Sequence, residues 1–319
     1  MKKKPSAKKG PLHGCTILDC STLLPGPFVG KLLALQGAKV LKVESPDRPD
    51  PARDLGHYYK DLNDCKKLVL LNLTKLEDQK KFKKLVKEAD GLIEGFRPSA
   101  KLKLGLDEKS LHKVNPKLCI TSLVGYREDG PWKDRAGHDL NFQAVTGCLS
   151  LFEGVPGLPL ADLFSAYKAA YMMAASLHAV KAGGKGRRAV VSMTDAIREA
   201  QSSFYHEYLA TKEVPGPGAS LLTGKFPCYR IYSTQDHHRV SVGAIEGKFW
   251  DKICQILQLP QFAGKGYTVG EEGKKIAAAV QGAFSSKPWS HWEGLFESAD
   301  CCVERVLDYS EVSRLGVQP

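Results

Sequence analysis

The chain has 319 residues, 43% of them hydrophobic, enough for one large or two ordinary domains and too many for a wholly disordered protein. Its formal net charge is +11, of which Lys2, Lys3, Lys4, Lys8 and Lys9 supply five; the +6 left on the body suits an anionic small ligand. Nine cysteines without a Cys-x-x-Cys pair, no zinc-finger spacing and no apolar run of membrane-spanning length exclude a disulfide scaffold, a zinc module and a transmembrane protein.

In chain order, "MKKKPSAKKG" (1–10) is basic with no apolar segment behind it, which predicts a solvated, disordered tail rather than a signal peptide, and a cytoplasmic protein with reduced thiols. "CTILDCS" (15–21) predicts a buried strand. Pro25-Gly26-Pro27 then turns the chain into a helix over 28–36, with Gly37 after its last turn and a second strand at 39–44. The pattern repeats: strand 68–73, a helix over 75–89 with a capping box from Thr74 to Glu77, strand 91–96, helix 107–114, strand 118–125. This alternation predicts an α/β fold, a large Rossmann-like doubly wound domain with a parallel sheet. The fingerprint G-x-G-x-x-G is absent after the first strand, which argues against a dinucleotide cofactor.

The middle of the chain reads as helical over 139–150, 162–181 and 192–212. "EVPGPGASLLTGK" (213–225) reads as a linker between a large domain over 11–212 and a smaller α+β domain over 226–319. In the latter, two short alternating runs around "TQDHH" predict a hairpin, followed by helices at 247–257, 271–284 and 289–298.

Several segments together resemble the family III CoA-transferases, which include CoA-transferases and α-methylacyl-CoA racemase. They are "LLPGPFVGKLLALQGAKVLKVESP" (23–46), "ADGLIEGFRPSAKLKLGLDEKSLHKVNPKL" (89–118), "AGHDLNF" (136–142), "LADLFSA" (160–166), "GKGRRAVVSMTDA" (184–196) and "VGAIEGKFW" (242–250), in the family's order. The resemblance spans roughly 14–313. It implies coenzyme A as part of an acyl-CoA thioester substrate, no tightly bound cofactor, no metal, and a homodimer of interlocked chains.

The resemblance also implies residue roles. An aspartate matching Asp162 is the nucleophile of the transferases. In the racemases it pairs with a histidine matching His138, and a glutamate matching Glu246 holds that histidine. Arg97 in "GFRPS" matches a position that contacts the nucleotide; Lys66 and Lys67 match a basic pair before the third strand. The chain departs from the family at Phe164-Ser165-Ala166-Tyr167, where racemases carry glycines, in a shorter 138–162 segment, and in ending at "SRLGVQP".

Exchange of a proton α to a thioester needs a base on one face of the carbon and an acid on the other. Histidine suits one role because its pKa lies near the working pH. A carboxyl suits the other if burial raises its pKa. Each residue also has a plainer reading. His138 between Gly137 and Asp139 is a fair first residue of a helix. Asp162 ahead of an apolar run is a good N-cap, which would lower its pKa. Glu246 starts a helix, Lys66 and Lys67 stand at an exposed strand start, and Asp139 reads as structural. The leading expectation is an acyl-CoA racemase or epimerase using His138, Asp162 and Glu246. The alternatives are a CoA-transferase with Asp162 as nucleophile, a non-catalytic CoA-binding protein, and non-specific nucleic-acid binding through the lysine tail.

Overall fold

Strand β1 (Thr16–Cys20) is buried from its second residue onward, as a strand must be when neighbours flank it and helices cover both faces. It runs parallel to β2 (Lys39–Glu44) on one side and β4 (Gly91–Glu94) on the other. Between them come α1 (Pro25–Leu35), α2 (His57–Asn63), β3 (Lys67–Leu70) and α3 (Leu76–Glu88). After β4 follow α4 (Pro98–Leu104), α5 (Glu108–Val114), β5 (Cys119–Val124), α6 (Asp139–Val145), α7 (Leu160–Lys181), β6 (Arg188–Ser192) and α8 (Met193–Ala200). The sheet order is β3-β2-β1-β4-β5-β6, all pairings parallel. This is the doubly wound arrangement predicted from the alternation, with its order reversing between β1 and β4.

This computed structural model describes residues 10–316, so the lysine-tail expectation falls almost wholly outside the described residues. Two compact units are present: one runs to Leu149 and takes in Val155–Ser202, the other comprises Ser150–Gly154 and the chain from Ser203 on. The division at Ser202 precedes the Pro/Gly segment at 213–225. The helix expected over 192–212 is two helices, because the backbone leaves the α conformation at Gln201, and α9 (Ser202–Thr211) lies beyond the break.

The first unit has a core layer on each face of its sheet. One layer sets Ile17, Val40, Ile93 and Leu123 against Val29 and Leu33 of α1 and Ala166, Ala169, Met173 and Leu177 of α7. The other sets Leu18, Leu41, Leu92 and Ile120 against Phe82 and Val86 of α3. Gly91 lets α7 lie close: a β-carbon there would sit 2.7 Å from Ile17 Cδ1 and 2.8 Å from Met173 Sδ. The strand at 188–192 is absent from the reading by sequence, because "RAVVS" is short and lies between two helical runs. The capping box from Thr74 does not form either. Thr74 donates its hydroxyl to Asn72 Oδ1 (2.6 Å), Asp78 accepts the Asn72 amide (3.0 Å), and α3 begins at Leu76 with no side-chain cap.

The second unit is α+β, as expected. It has an antiparallel sheet of β7 (Tyr229–Ser233), β8 (Arg239–Gly243) and β9 (Val303–Arg305) in the order β7-β8-β9. Helices α10 (Gly247–Ile256), α11 (Gly270–Ser285) and α12 (Trp289–Ala299) cover it, and α13 (Tyr309–Arg314) follows β9. Its core is aromatic, with Phe284 packed against Tyr232, Trp292 and Phe296. Among the described residues no helix is long and apolar enough to cross a membrane.

Candidate active site

A cavity of about 550 Å³ lies in the first unit at the carboxyl ends of β1, β4 and β5. Open parallel sheets bind ligands at this place, because the neighbouring loops diverge where the strand order reverses. The loop after β1 contributes Ser21, Thr22 and Leu23 to its wall, α1 contributes Pro25 and Gly26, and the segment after β4 contributes Gly95, Phe96 and Arg97. Tyr126 and Glu128 come from the segment after β5, and Lys133, Arg135, Gly137, His138 and Asn141 from the approach to α6; Asp162 of α7 completes the chemically active lining.

His138 is held by its backbone. It is the N-cap of α6, extended at φ −122° and ψ 176°, and its amide donates to Asn141 Oδ1 (3.0 Å). The loop leading to it is fixed by the buried ring of Tyr126, which packs edge-on against Trp132 and Phe142. The imidazole itself stays exposed at the cavity wall.

Asp162 is not the N-cap of α7. Pro159 occupies that position, and Asp162 is the third residue of the helix. The cap comes from Asp139, whose Oδ1 accepts the Asp162 amide (3.1 Å) while its Oδ2 accepts from Gln143 Nε2 (2.5 Å). No donor among the described residues reaches the Asp162 carboxylate. Burial, and then the like charge of Asp139, push its pKa up to about 7. The lowered pKa that an N-capping role would give Asp162 is therefore overturned, because the residue that accepts the helix amide is Asp139. Burial, and then the charges of Asp162, Asp61 and Asp139, push the hydroxyl of Tyr58 of α2 up to about 12, so it stays protonated.

The Asp139 charge can be removed without losing the cap, since an asparagine in its place would keep an acceptor for the Asp162 amide. Asp139→Asn is expected to lower the Asp162 pKa while leaving it above the ordinary carboxylate value, because burial is the larger cause. The check is the pH dependence of kcat/KM, or the carboxyl titration followed by infrared difference spectroscopy, in the two proteins.

The cations divide by what holds them. Glu128 is engaged by Arg188, at 2.5 Å and 2.9 Å to its two oxygens, and by Lys101 at 3.3 Å. Arg97, Lys133 and Arg135 line the cavity and pair with no carboxylate among the described residues; Arg135 lies over the Trp132 ring at 5.6 Å. Three uncommitted cations can hold phosphate groups, and the two guanidinium forks suit them in particular. Sequence reasoning found Arg97 and missed Lys133 and Arg135, whose one signal is their place between "DGP" and "GHD".

Lys66 is not available to a ligand. Its ammonium is buried, donating to Asp19 Oδ2 (2.8 Å), the Pro27 carbonyl (2.7 Å) and Asn63 Oδ1 (2.9 Å). The nucleotide-binding expectation for Lys66 is thereby corrected: the side chain turns inward to neutralise a buried carboxylate. Lys67 opens β3, exposed and away from the cavity wall. Glu246 is in the second unit, an exposed N-cap of α10 whose side chain makes no cap hydrogen bond.

A doubly wound fold carries a crevice at its switch point, lined by three cations that pair with no carboxylate among the described residues and by a histidine and a carboxyl. The chain belongs to CoA-transferase family III, whose model matches residues 12–316. A CaiB/baiF CoA-transferase family protein of Caenorhabditis elegans is 32% identical over 96% of this chain and 88% of the relative. Human alpha-methylacyl-CoA racemase is 29% identical over 94% of this chain and 79% of its own length, and acetyl-CoA:oxalate CoA-transferase of Acetobacter aceti 28% over 98% and 84%. In fold the chain is similar to a CAIB/BAIF family protein from Brucella suis, with a TM-score of 0.82 over 96% of this chain and 86% of that one at 22% identity.

Proposed function

We propose that this family III member is an acyl-CoA racemase or epimerase, exchanging the proton on the carbon α to a CoA thioester. The observation that carries the reading is that His138 and an Asp162 whose carboxyl is pushed up to about 7 line the same cavity. A residue that must give a proton in one direction and take it in the other works best with both forms populated at the working pH. His138 removes the α-proton from one face, the electron pair passes to the thioester oxygen as an enolate, and protonated Asp162 returns a proton to the opposite face. The reverse reaction exchanges the two roles. Arg97, Lys133 and Arg135 take the phosphates of coenzyme A. Glu246 enters as the carboxylate partner of His138 on the family resemblance alone.

A second reading is transfer of CoA to a free acid through an Asp162 acyl anhydride. It is favoured by the lack of any donor to the Asp162 carboxylate among the described residues and by relatives named as transferases, such as that of Acetobacter aceti.

One incubation separates the two. A 2-methylacyl-CoA and a free carboxylic acid are mixed with the enzyme in D2O, and the thioesters are followed by mass spectrometry. Racemisation gives one deuterium at the α-carbon of the original thioester and no new thioester. Appearance of the second acid's thioester with no deuterium uptake, on several acyl chains, sinks the racemase reading and supports transfer.

A further inference from the structure

The loop between β1 and α1 contains a leucine in a conformation that leucine rarely adopts. Leu23 has φ 63°, in the left-handed region where a β-carbon crowds the backbone, and such residues persist where their surroundings hold them. What holds this one is a buried ion pair. The Leu23 amide donates to Asp50 Oδ1 (3.0 Å), which also accepts the Ala52 amide (3.0 Å). Asp50 Oδ2 accepts from Lys42 Nζ at 3.0 Å, and the same ammonium donates to the Ser21 carbonyl. Asp50 is 0% and Lys42 1% exposed.

One carboxylate and one ammonium therefore grip the loop on either side of Thr22, through the Ser21 carbonyl and the Leu23 amide. The clamp is itself tied down, since the Asp50 amide donates to Glu44 Oε1 (3.1 Å), and Glu44 is held by Arg53 and Tyr59. Stability alone is a poor reason for the arrangement. Lys42 lies in a strand whose neighbours Val40, Leu41 and Val43 are buried and apolar, and a buried ion pair commonly does no better than apolar residues of similar size. The loop it grips is functional ground, because Ser21, Thr22 and Leu23 form wall of the cavity.

We infer that Asp50 and Lys42 are positioning residues of the ligand site, holding the left-handed turn at Leu23 so that the β1–α1 loop keeps the shape that coenzyme A meets. The inference rests on reading the cavity as the CoA site. It assigns these two side chains no contact with the substrate. They act through the backbone they hold.

The test is a double-mutant cycle on the full chain with wild type, Asp50→Ala, Leu23→Gly and the double variant. It is read by calorimetry with free coenzyme A and by hydrogen exchange of the segment 20–27. In the leucine background Asp50→Ala is expected to weaken CoA binding about tenfold and to speed exchange across the loop. In the Leu23→Gly background the turn carries no steric cost, and the same substitution is expected to weaken binding less than about threefold.

Equal ratios on the two backgrounds, which a merely structural role for Asp50 would give, overturn the inference. So does wild-type affinity in Asp50→Ala. If Asp50→Ala does not fold, Asp50→Asn keeps an acceptor for the two amides, removes the charge facing Lys42, and runs the same cycle with the same inequality. A wild type that binds no CoA sinks the CoA reading instead. The exchange arm then decides the clamp alone, and unchanged exchange in the Asp50 variant refutes it.

Discussion

Asp162→Asn is expected to abolish α-proton exchange and, at pH 8, to make the protein more stable than wild type. The loss of activity should be about 10²–10⁴-fold, the usual contribution of a positioned proton-transfer group. The stability change follows from the raised pKa. The carboxyl titrates at about 7 in the folded chain against an ordinary value of 3.8. Its contribution to stability is therefore fully present below the unfolded value and lost as pH rises through about 7. Above that pH the wild type must hold a charge in a half-buried place beside Asp139, and asparagine need not. After allowance for partial exposure, the variant should gain roughly 1–3 kcal/mol at pH 8 and almost nothing at pH 4.

Urea unfolding of both proteins at the two pH values measures this. An ionised capping aspartate would give the opposite sign, a loss of about 0.5–2 kcal/mol on substitution. His138→Gln is the companion variant. It should lose exchange to a similar extent without the gain at pH 8, because the imidazole is exposed; retention of CoA transfer in this variant would favour the second reading.

The contrast between Asp162 and Asp139 shows where the amino-acid sequence was informative and where it was not. Alternation of strands and helices was legible because parallel strands buried on both faces give short, mostly apolar runs, as at "TILDC" and "CITSLV". His138 and Asp162 were legible as candidates from the ordered motifs. Which of two aspartates would cap α7 was not, because the capping contact joins residues 23 apart in the chain and depends on how α6 meets α7. The shift in the Asp162 pKa follows first from burial and then from the Asp139 charge, neither of which could be read locally.

Short range misled in the same way at Thr74, where Asn72 captured the hydroxyl that a capping box would have used. Lys133 and Arg135 show the reverse. They lie in a polar loop with no periodicity, and only the approach of that loop to the carboxyl end of the sheet makes them cavity residues. Helix starts and buried charges, which depend on what the fold brings to them, are thus the least legible features of this chain.

Lys66 gives the other large effect. Lys66→Met is expected to destabilise the protein by about 3–5 kcal/mol at pH 7, because it leaves a fully buried carboxylate without its counter-charge. Asp19 would keep the Ser21 amide and hydroxyl, but not the ammonium that also ties the Pro27 carbonyl and Asn63 to the start of α1. Burial tends to raise the Asp19 carboxyl, and in the wild type Lys66 and Lys42 overcome it and carry its pKa below the ordinary value. A lowered carboxylate contributes stability above its unfolded pKa and loses it as pH falls through the folded value. The wild type keeps that contribution down to pH 4, whereas in the variant burial no longer opposed by Lys66 raises the Asp19 carboxyl, so the gap should be wide at pH 7 and narrower at pH 4, where methionine faces a protonated acid.

Denaturant unfolding from pH 7 down to pH 4 measures the gap, and Asp19→Asn in the Lys66→Met background should recover about half of it by removing the orphaned charge. A lysine that served the nucleotide phosphates would behave otherwise: its loss would weaken free coenzyme A at every pH and leave the unfolding midpoint almost unmoved. Gly30 of α1 already argues for the buried pair, since a β-carbon there would come within 2.9 Å of Asp19 Oδ2 and 3.0 Å of Lys66 Nζ. The helix that opens the cavity wall is seated directly on that ion pair, so breaking it should disturb the site only by way of the fold.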